Sequence, residues 1–301
     1  MKHTWLYILL IAFVILGLAF MFGVVSYVMS TGEEHSSFSF LKGGRIGVVK
    51  VEGAILSSDE AIEDIENVRK DGSVASVVLR IESPGGSVGA SQEILEAVKM
   101  LAEEKPVVAS MGSVAASGGY YVALGAKQIL ANPGTITGSI GVRMEHINVG
   151  GLLNWAKIGH ETLKSGKFKD LGSFDRPLSP SDRELLEGVL ANMHQQFKDA
   201  VAQARNLDMK DVDELADGRI YTGQEAINLG LVDRIGGFAE AIKLAAELGG
   251  IKGEPKLYYP RKTKMWFMRL VEEAKSTVED LTRVSVEYWQ PMMALRKGGQ
   301  P

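Results

Sequence analysis

The chain has 301 residues, of which 46% are hydrophobic and 23% are charged, and its formal net charge is −4. This composition excludes a largely disordered chain, and the mildly acidic balance lacks the basic character of a nucleic-acid-binding protein. Because the chain has no cysteine and no closely spaced pair among its five histidines, we predict no disulfide, no cysteine nucleophile and no metal centre.

The first element in the chain is a long apolar segment. Residues 5–29 contain no charged side chain, and as a helix they would cross the ~30 Å hydrocarbon layer of a membrane. Lys2 precedes the segment and Glu33 and Glu34 follow it, a bias that favours a cytoplasmic location for residues 1–4. A cleaved signal peptide is the alternative, but it would have a shorter apolar core and a small-residue exit. We therefore predict a retained single-pass anchor in the cell membrane, with the rest of the chain extracytoplasmic.

After a tether over residues 30–44, the sequence alternates between strand and helix patterns. Continuous β-branched runs indicate buried strands, and apolar residues three or four apart indicate helices with one inward face. This alternation predicts an α/β domain over residues 45–259, with a mainly parallel sheet and flanking helices. The predicted strands are 45–51, 74–81, 106–110, 128–131 and 161–163, and the predicted helices are 59–70, 91–104, 116–124, a long one from 179, 223–229 and 238–248.

The long helix has a clear start signal. Ser179 is a capping residue, Pro180 suits the first helical position, and Asp182 can complete a capping box. One inward face is predicted from the helical spacing of Leu185, Leu186, Val189, Met193, Phe197 and Val201.

Two glycine-rich loops follow successive predicted strands. The first is Ser83-Pro84-Gly85-Gly86-Ser87, and the second contains Ser117-Gly118-Gly119. A serine at a strand-to-helix junction exposes its hydroxyl, and neighbouring glycines let a backbone N–H approach a substrate oxygen. Taken singly, each loop also fits a tight turn or a helix cap, and the first fits a phosphate cradle. Because the carboxyl ends of adjacent parallel strands meet at one edge of a sheet, the pair favours a single site.

A serine nucleophile needs a base, and the sequence offers two kinds. His146 is the nearest histidine, but its surroundings fit a surface or packing role equally well. A lysine can serve only when it is neutral, so the ordinary lysine pKa of ~10.4 must fall by about 3 units. In the run from Lys164 to Asp170, clustered positive charge would favour loss of a proton from one lysine. A solvated basic loop is the competing interpretation.

Several blocks occur in an order that resembles a known family. They are Leu79–Val88, Ala115–Tyr121, Gly134–Val142, Ser165–Asp170, Gly218–Ala226 and Gly230–Asp233. Together they resemble the signal peptide peptidase A family in its short, single-repeat form. Its members are membrane-anchored Ser–Lys serine peptidases of the Clp protease/crotonase-like fold. The resemblance covers about residues 45–250.

The resemblance implies roles for individual side chains. Ser117 would be the nucleophile and Lys169 the general base, because Lys169 is the second lysine of the family's Gly-Lys-aromatic-Lys motif. Lys167 would then be a flanking positive charge. Ser139 matches the serine that hydrogen-bonds the family's lysine.

The resemblance also implies an oxyanion hole built from backbone amides. The N–H of Gly118 and one N–H from Gly85 or Gly86 would form it. Glu82 stands where the family more often has Asp or Asn, whereas the glycine pair is retained.

The implied function is an endopeptidase that needs no cofactor or metal. It would degrade remnant signal peptides or other unfolded membrane-proximal peptides, as a homo-oligomeric ring that has eight subunits in the short forms. One alternative is a Ser–Lys membrane protease resembling the stomatin-processing enzymes. Others are a crotonase-like acyl-CoA enzyme, against which the Ser-Gly-Gly-Tyr block and the lysine motif argue, and an inactive scaffold.

Residues 260–301 form a separate tail with the pattern of an amphipathic helix, outside the resemblance. Packing on its own domain or on a neighbouring subunit is one interpretation. A helix lying on the membrane, or a tail that regulates the peptide groove, is the other.

Overall fold

The structure is a computed structural model that describes residues 44–260. The predicted anchor, the tether before residue 44 and the tail after residue 260 lie outside the described residues. Within residues 44–260, no helix combines the length and the apolar character needed to cross a membrane.

The described residues form an α/β fold in which one sheet carries all the named strands. The strands are β1 Arg45–Glu52, β2 Val74–Ser83, β3 Val107–Ala116, β4 Gln128–Ala131, β5 Ile136–Gly138, β6 Ile220–Thr222, β7 Arg234–Ile235 and β8 Lys256–Tyr258. The helices are α1 Asp59–Lys70, α2 Val88–Glu104, α3 Gly118–Ala123, α4 Gly150–Trp155, α5 Pro180–Arg205, α6 Met209–Leu215, α7 Gly223–Asn228 and α8 Phe238–Leu248.

The sheet has the strand order β6-β5-β3-β2-β1-β8, with β4 paired to both β3 and β7. Its pairings are parallel except for β5 with β6. The predicted α/β architecture with a mainly parallel sheet and flanking helices is therefore confirmed.

The core lies on both faces of the sheet, which explains the continuous apolar runs of β1, β2 and β3. On one face the buried side of α2 packs through Ile94, Leu95, Val98 and Leu101. On the other face Ile46, Val78, Val108 and Leu130 pack against Ala241, Leu244 and Ala245 of α8. All four residues predicted as the inward face of α2 are buried.

Two predicted boundaries shift at the place where function was expected. Strand β3 continues to Ala116, beyond the predicted end at Ser110, and α3 begins at Gly118. Ser117 therefore stands at the junction between strand and helix.

The strand predicted over 161–163 is wrong: these residues are irregular and exposed, with Leu163 at 90% exposure, because no neighbouring strand pairs with them.

The long helix α5 begins as predicted. Ser179 Oγ accepts the Asp182 N–H at 3.1 Å, and the Asp182 carboxylate accepts the Ser179 N–H at 3.0 Å. The predicted inward face is buried only in its second half, at Phe197 and Val201. Leu185 and Val189 are exposed.

Candidate active site

The two glycine-rich loops meet at the carboxyl ends of β2 and β3. Gly85 adopts a φ of +97°, and a Cβ at this position would lie 2.6 Å from the Gly118 nitrogen and 2.9 Å from Ser117 Cβ. A side chain would therefore separate the loops, so only glycine permits this approach.

Ser117 occupies an unusual backbone conformation between β3 and α3. Its φ is +53° and its ψ is −122°, a region that costs a non-glycine residue about 1–3 kcal/mol and clusters at functional sites. The surroundings hold it there: its N–H donates to the Gly138 carbonyl at 2.8 Å, and its carbonyl accepts the Tyr121 N–H at 2.9 Å. Ser117 is half-buried, so its hydroxyl is accessible to a reactant.

Two backbone N–H groups next to Ser117 have no acceptor among the described residues. They belong to Gly118, the first residue of α3, and to Gly86, which is exposed. A Cβ at Gly118 would lie only 3.2 Å from the Gly86 nitrogen, so the two groups are neighbours. The Gly85 N–H, by contrast, donates to Ser83 Oγ at 3.1 Å. Paired, unoccupied N–H donors can stabilise the negative oxygen that forms during acyl transfer.

The first loop is held from outside by a segment that the sequence analysis did not single out. The Ile55 N–H donates to the Gly85 carbonyl at 3.0 Å, and the Ser87 N–H donates to the Ile55 carbonyl at 2.7 Å. A Cβ at Gly86 would overlap the backbone of Ile55. Only glycine therefore fits at position 86. The hydrogen bonds to Ile55 come from residues 85 and 87, so the Gly86 N–H takes no part in them.

Glu82 connects the two strands that carry the loops. Its carboxylate accepts the Ser113 N–H at 2.9 and 3.0 Å and the Val114 N–H at 3.1 Å. Gly112 makes room for it, because a Cβ there would overlap Glu82 Oε2. Glu82, noted above as a departure from the family, thus forms a defined contact with the end of β3.

Burial acts to raise the pKa of Glu82, but the N–H donors of Ser113 and Val114 outweigh it and hold the pKa below its ordinary value. A carboxylate with a lowered folded-state pKa stabilises the fold above its unfolded pKa and loses that contribution as the pH falls through the folded value. We therefore expect Glu82→Gln to lower the free energy of unfolding at pH 7, with the difference from wild type shrinking below about pH 4.

Urea unfolding at pH 7 and pH 3 measures this effect. Glu52→Gln is the matched control, since Glu52 lies beside Glu82 in the sheet register and, in the part of the chain that the structure describes, pairs only with Lys50, at 3.1 Å. A difference at pH 7 that is equal for both variants would contradict the role given to Glu82.

Ser139 lies beside Ser117 through the pairing of β3 with β5. It follows Gly138, whose carbonyl holds the Ser117 N–H, and its own N–H donates to the Arg219 carbonyl at 2.8 Å. Like Ser117, it has a positive φ, of 51°. His146 has a different location: its Nε2 lies 3.2 Å from the Arg176 carbonyl oxygen, which fits the packing interpretation.

Lys169 makes no hydrogen bond to this group within residues 44–260. It is exposed, its N–H donates to the Gly166 carbonyl at 3.1 Å, and it lines a hollow of about 390 Å³ that does not include Ser117. Among the described residues, no hydrogen bond or ion pair involves its Nζ. Lys167 lies with its Nζ 4.8 Å from the centre of the Phe168 ring.

Lys167 and Phe168 line a larger groove, of about 820 Å³, between the start of α2 and the first half of α5. Its apolar lining includes Val88, Leu185, Val189 and Met193. The groove begins where the Gly86 loop enters α2. The exposed apolar side chains of α5 therefore face an open groove next to the candidate site.

No group of three or more acidic or histidine side chains within residues 44–260 is placed to hold a metal ion. The structure brings Ser117, Ser139, Gly85, Gly86 and Gly118 together, and no hydrogen bond within residues 44–260 joins Lys169 to them. Ser117 in its strained conformation could act as a nucleophile, and the free N–H groups of Gly86 and Gly118 could form an oxyanion hole, the two features that nucleophilic acyl transfer requires.

Comparison with known proteins places the chain in a family. The family model described as Peptidase family S49 matches residues 99–252, and the one described as Clp protease matches residues 48–135. A Synechocystis sp. protein named as a protease is 43% identical over 69% of this chain and 75% of its own length. The chloroplastic serine protease SPPA of Arabidopsis thaliana is 39% identical over 69% of this chain and 32% of its own length.

A protein of Enterococcus faecium named as the signal peptide peptidase SppA is 36% identical over 65% of this chain and 56% of its own length. The chain thus spans three quarters of the first relative and smaller parts of the other two. It belongs to peptidase family S49, the signal peptide peptidase A family of serine proteases.

Proposed function

We propose that the protein is a membrane-anchored Ser–Lys endopeptidase that degrades remnant signal peptides or other unfolded membrane-proximal peptides. The observation that carries this proposal is Ser117, in its strained conformation, beside the free N–H groups of Gly86 and Gly118. The proposal accounts for the strain at Ser117 and for the close approach of the two glycine-rich loops.

In this mechanism the Ser117 hydroxyl oxygen attacks the scissile carbonyl carbon while neutral Lys169 takes the hydroxyl proton. The resulting oxyanion accepts hydrogen bonds from the N–H groups of Gly86 and Gly118. The carbon–nitrogen bond then breaks, and the protonated lysine returns a proton to the leaving amine. Water, deprotonated by the same lysine, hydrolyses the ester on Ser117 and releases the second product.

We further propose that Lys169 acts on Ser117 of a neighbouring subunit in a ring, with eight subunits as the expected size. Two observations support this arrangement: Lys169 is exposed, and it makes no hydrogen bond to Ser117 within residues 44–260. Head-to-tail contacts that close on themselves generate such rings.

The groove between α2 and α5 is consistent with a substrate that is apolar and extended. Its lining of Val88, Leu185, Val189 and Met193 suits the apolar side chains of a signal-peptide remnant. An extended peptide could also add a strand next to the active-site loops. The predicted anchor over residues 5–29 would hold the enzyme at the membrane surface where such peptides accumulate.

A fluorophosphonate probe followed by peptide mapping tests the site. We expect labelling on Ser117, loss of labelling in Ser117→Ala, and wild-type labelling in Ser57→Ala, a control at an exposed serine. Profiling of cleavage products with the purified enzyme and with Ser117→Ala then defines the substrates. Absence of labelling in the assembled wild-type enzyme would favour the inactive scaffold.

A further inference from the structure

A chain of ion pairs ties the loop that carries Lys169 to the start of α5. Asp170, the residue after Lys169, uses both carboxylate oxygens. Its Oδ1 accepts from Lys164 Nζ at 2.6 Å, and its Oδ2 accepts from Arg176 Nε at 3.1 Å. The Asp170 side chain is only 10% exposed, so these partners replace most of its water.

Arg176 extends this chain to the helix. Its Nη1 donates to Asp182 Oδ2 at 2.6 Å and to the Pro177 carbonyl at 3.2 Å, and its Nη2 donates to the Asp170 carbonyl at 3.4 Å. Asp182 is buried at the first turn of α5, where it also closes the capping box with Ser179. The Arg176 guanidinium thus joins Asp170, next to Lys169, to Asp182 in the first turn of α5.

The charge of Asp170 affects whether the neighbouring Lys169 can act as a base. Hydrogen bonds from Arg176 and Lys164 lower the pKa of Asp170 to about 2, so Asp170 is an anion at any pH at which the enzyme would act. An unengaged anion beside a lysine favours the protonated ammonium form. The other charged or titratable groups lining the hollow are His160, which is paired with Asp175 at 2.9 Å, and Lys164 itself.

We propose that Arg176 is a positioning residue for Lys169, acting through Asp170. It holds the Lys169 loop on α5, and together with Lys164 it engages the Asp170 carboxylate that would otherwise stabilise the protonated lysine. This inference rests on the proposed function, because it requires Lys169 to be the base.

The test compares Arg176→Ala with Arg183→Ala in the full assembled enzyme. Arg183 is the matched control, since it lies in the first turn of α5, close to Arg176 in sequence, is 65% exposed and, among the described residues, pairs only with Glu187, at 3.9 Å. We expect Arg176→Ala to lower kcat about tenfold or more with little change in KM. The pH midpoint at which activity appears should rise, and the rise should be smaller in high salt. Arg183→Ala should resemble wild type.

The double variant Arg176→Ala/Asp170→Asn separates the two parts of the proposal. Removal of the freed carboxylate should return the pH midpoint to the wild-type value, while kcat stays low because the loop is still released. Arg176→Lys, which can keep one ion pair, should give an intermediate kcat, and it serves in place of Arg176→Ala if thermal unfolding shows that the alanine variant does not fold.

Two results would overturn the inference, and they have different meanings. A wild-type kcat and pH profile in folded Arg176→Ala or Arg176→Lys, with Lys169→Ala inactive, would remove the positioning role and leave the Ser–Lys mechanism intact. Full activity in Lys169→Ala would overturn the mechanism, and the role of Arg176 with it.

Discussion

Substitution of Lys169 by alanine or by arginine is expected to lower kcat/KM for peptide cleavage by about 10²- to 10⁴-fold, the contribution of a general base. Arginine has a side chain of similar length but cannot lose its proton at any working pH. Both variants should unfold at the wild-type temperature, because the Lys169 side chain is exposed and its Nζ has no ion-pair partner within the described residues. Steady-state kinetics and thermal unfolding measure the two quantities.

Lys167→Ala is the matched control for this prediction. Lys167 is two residues away, and among the described residues its ammonium lies over the Phe168 ring and forms no ion pair, so the variant should retain measurable turnover. Activity of the wild type should rise with pH through a midpoint well below ~10.4, the value for a free lysine. An inactive Lys167→Ala combined with an active Lys169→Ala would show that the roles of the two lysines are reversed.

The strands of the sheet were predictable where their side chains are buried on both faces, because such strands have continuous apolar sequences. The strands β1, β2 and β4 and the helices α1 and α8 follow from continuous apolar runs or helical spacing, because both faces of the sheet are covered. The three-residue strands β5 and β6 were not predicted, since their pairing with distant segments defines them and no local pattern does. The wrong strand over 161–163 shows the converse: local alternation without a neighbouring strand produces no sheet.

The convergence of the glycine-rich loops was predictable from topology, because successive parallel strands end at the same edge. The contacts that fix their geometry were not. Glu82 reaches Ser113 and Val114 from 31 and 32 residues away, and Ile55 bridges Gly86 from a loop with no motif of its own. Gly112 becomes a clue for Glu82 only once β3 is known to extend to Ala116, since an isolated glycine in a strand often marks a close approach.

The proposed role of Arg176 was beyond a motif-based analysis for the same reason. The Lys164–Asp170 run reads as a basic loop, and Asp182 reads as a helix cap. Only the fold shows that one guanidinium joins them. Sequence patterns therefore indicated candidate residues for the chemistry, whereas the contacts around those residues emerge only from the fold.

The second large effect is expected when two inactive variants are combined. Ser117→Ala lacks the nucleophile and Lys169→Ala lacks the base, so each alone should be inactive. If a site takes Ser117 from one subunit and Lys169 from its neighbour, some sites in a mixed ring contain both intact residues. With equal amounts and random assembly, half of the subunits supply Ser117 and half of their neighbours supply Lys169, so roughly a quarter of the wild-type activity should return.

The experiment unfolds the two variants together, reassembles them and measures peptide cleavage, with native mass spectrometry to show that mixed rings have formed. Each variant reassembled alone gives the background. Separately reassembled rings, mixed afterwards, control for diffusion between complete assemblies. A site built within one chain cannot be restored by any mixture, because every chain then lacks one of its two residues. Mixed rings with background activity would therefore exclude a shared site, and Lys169 would have to reach Ser117 by a movement of its own loop.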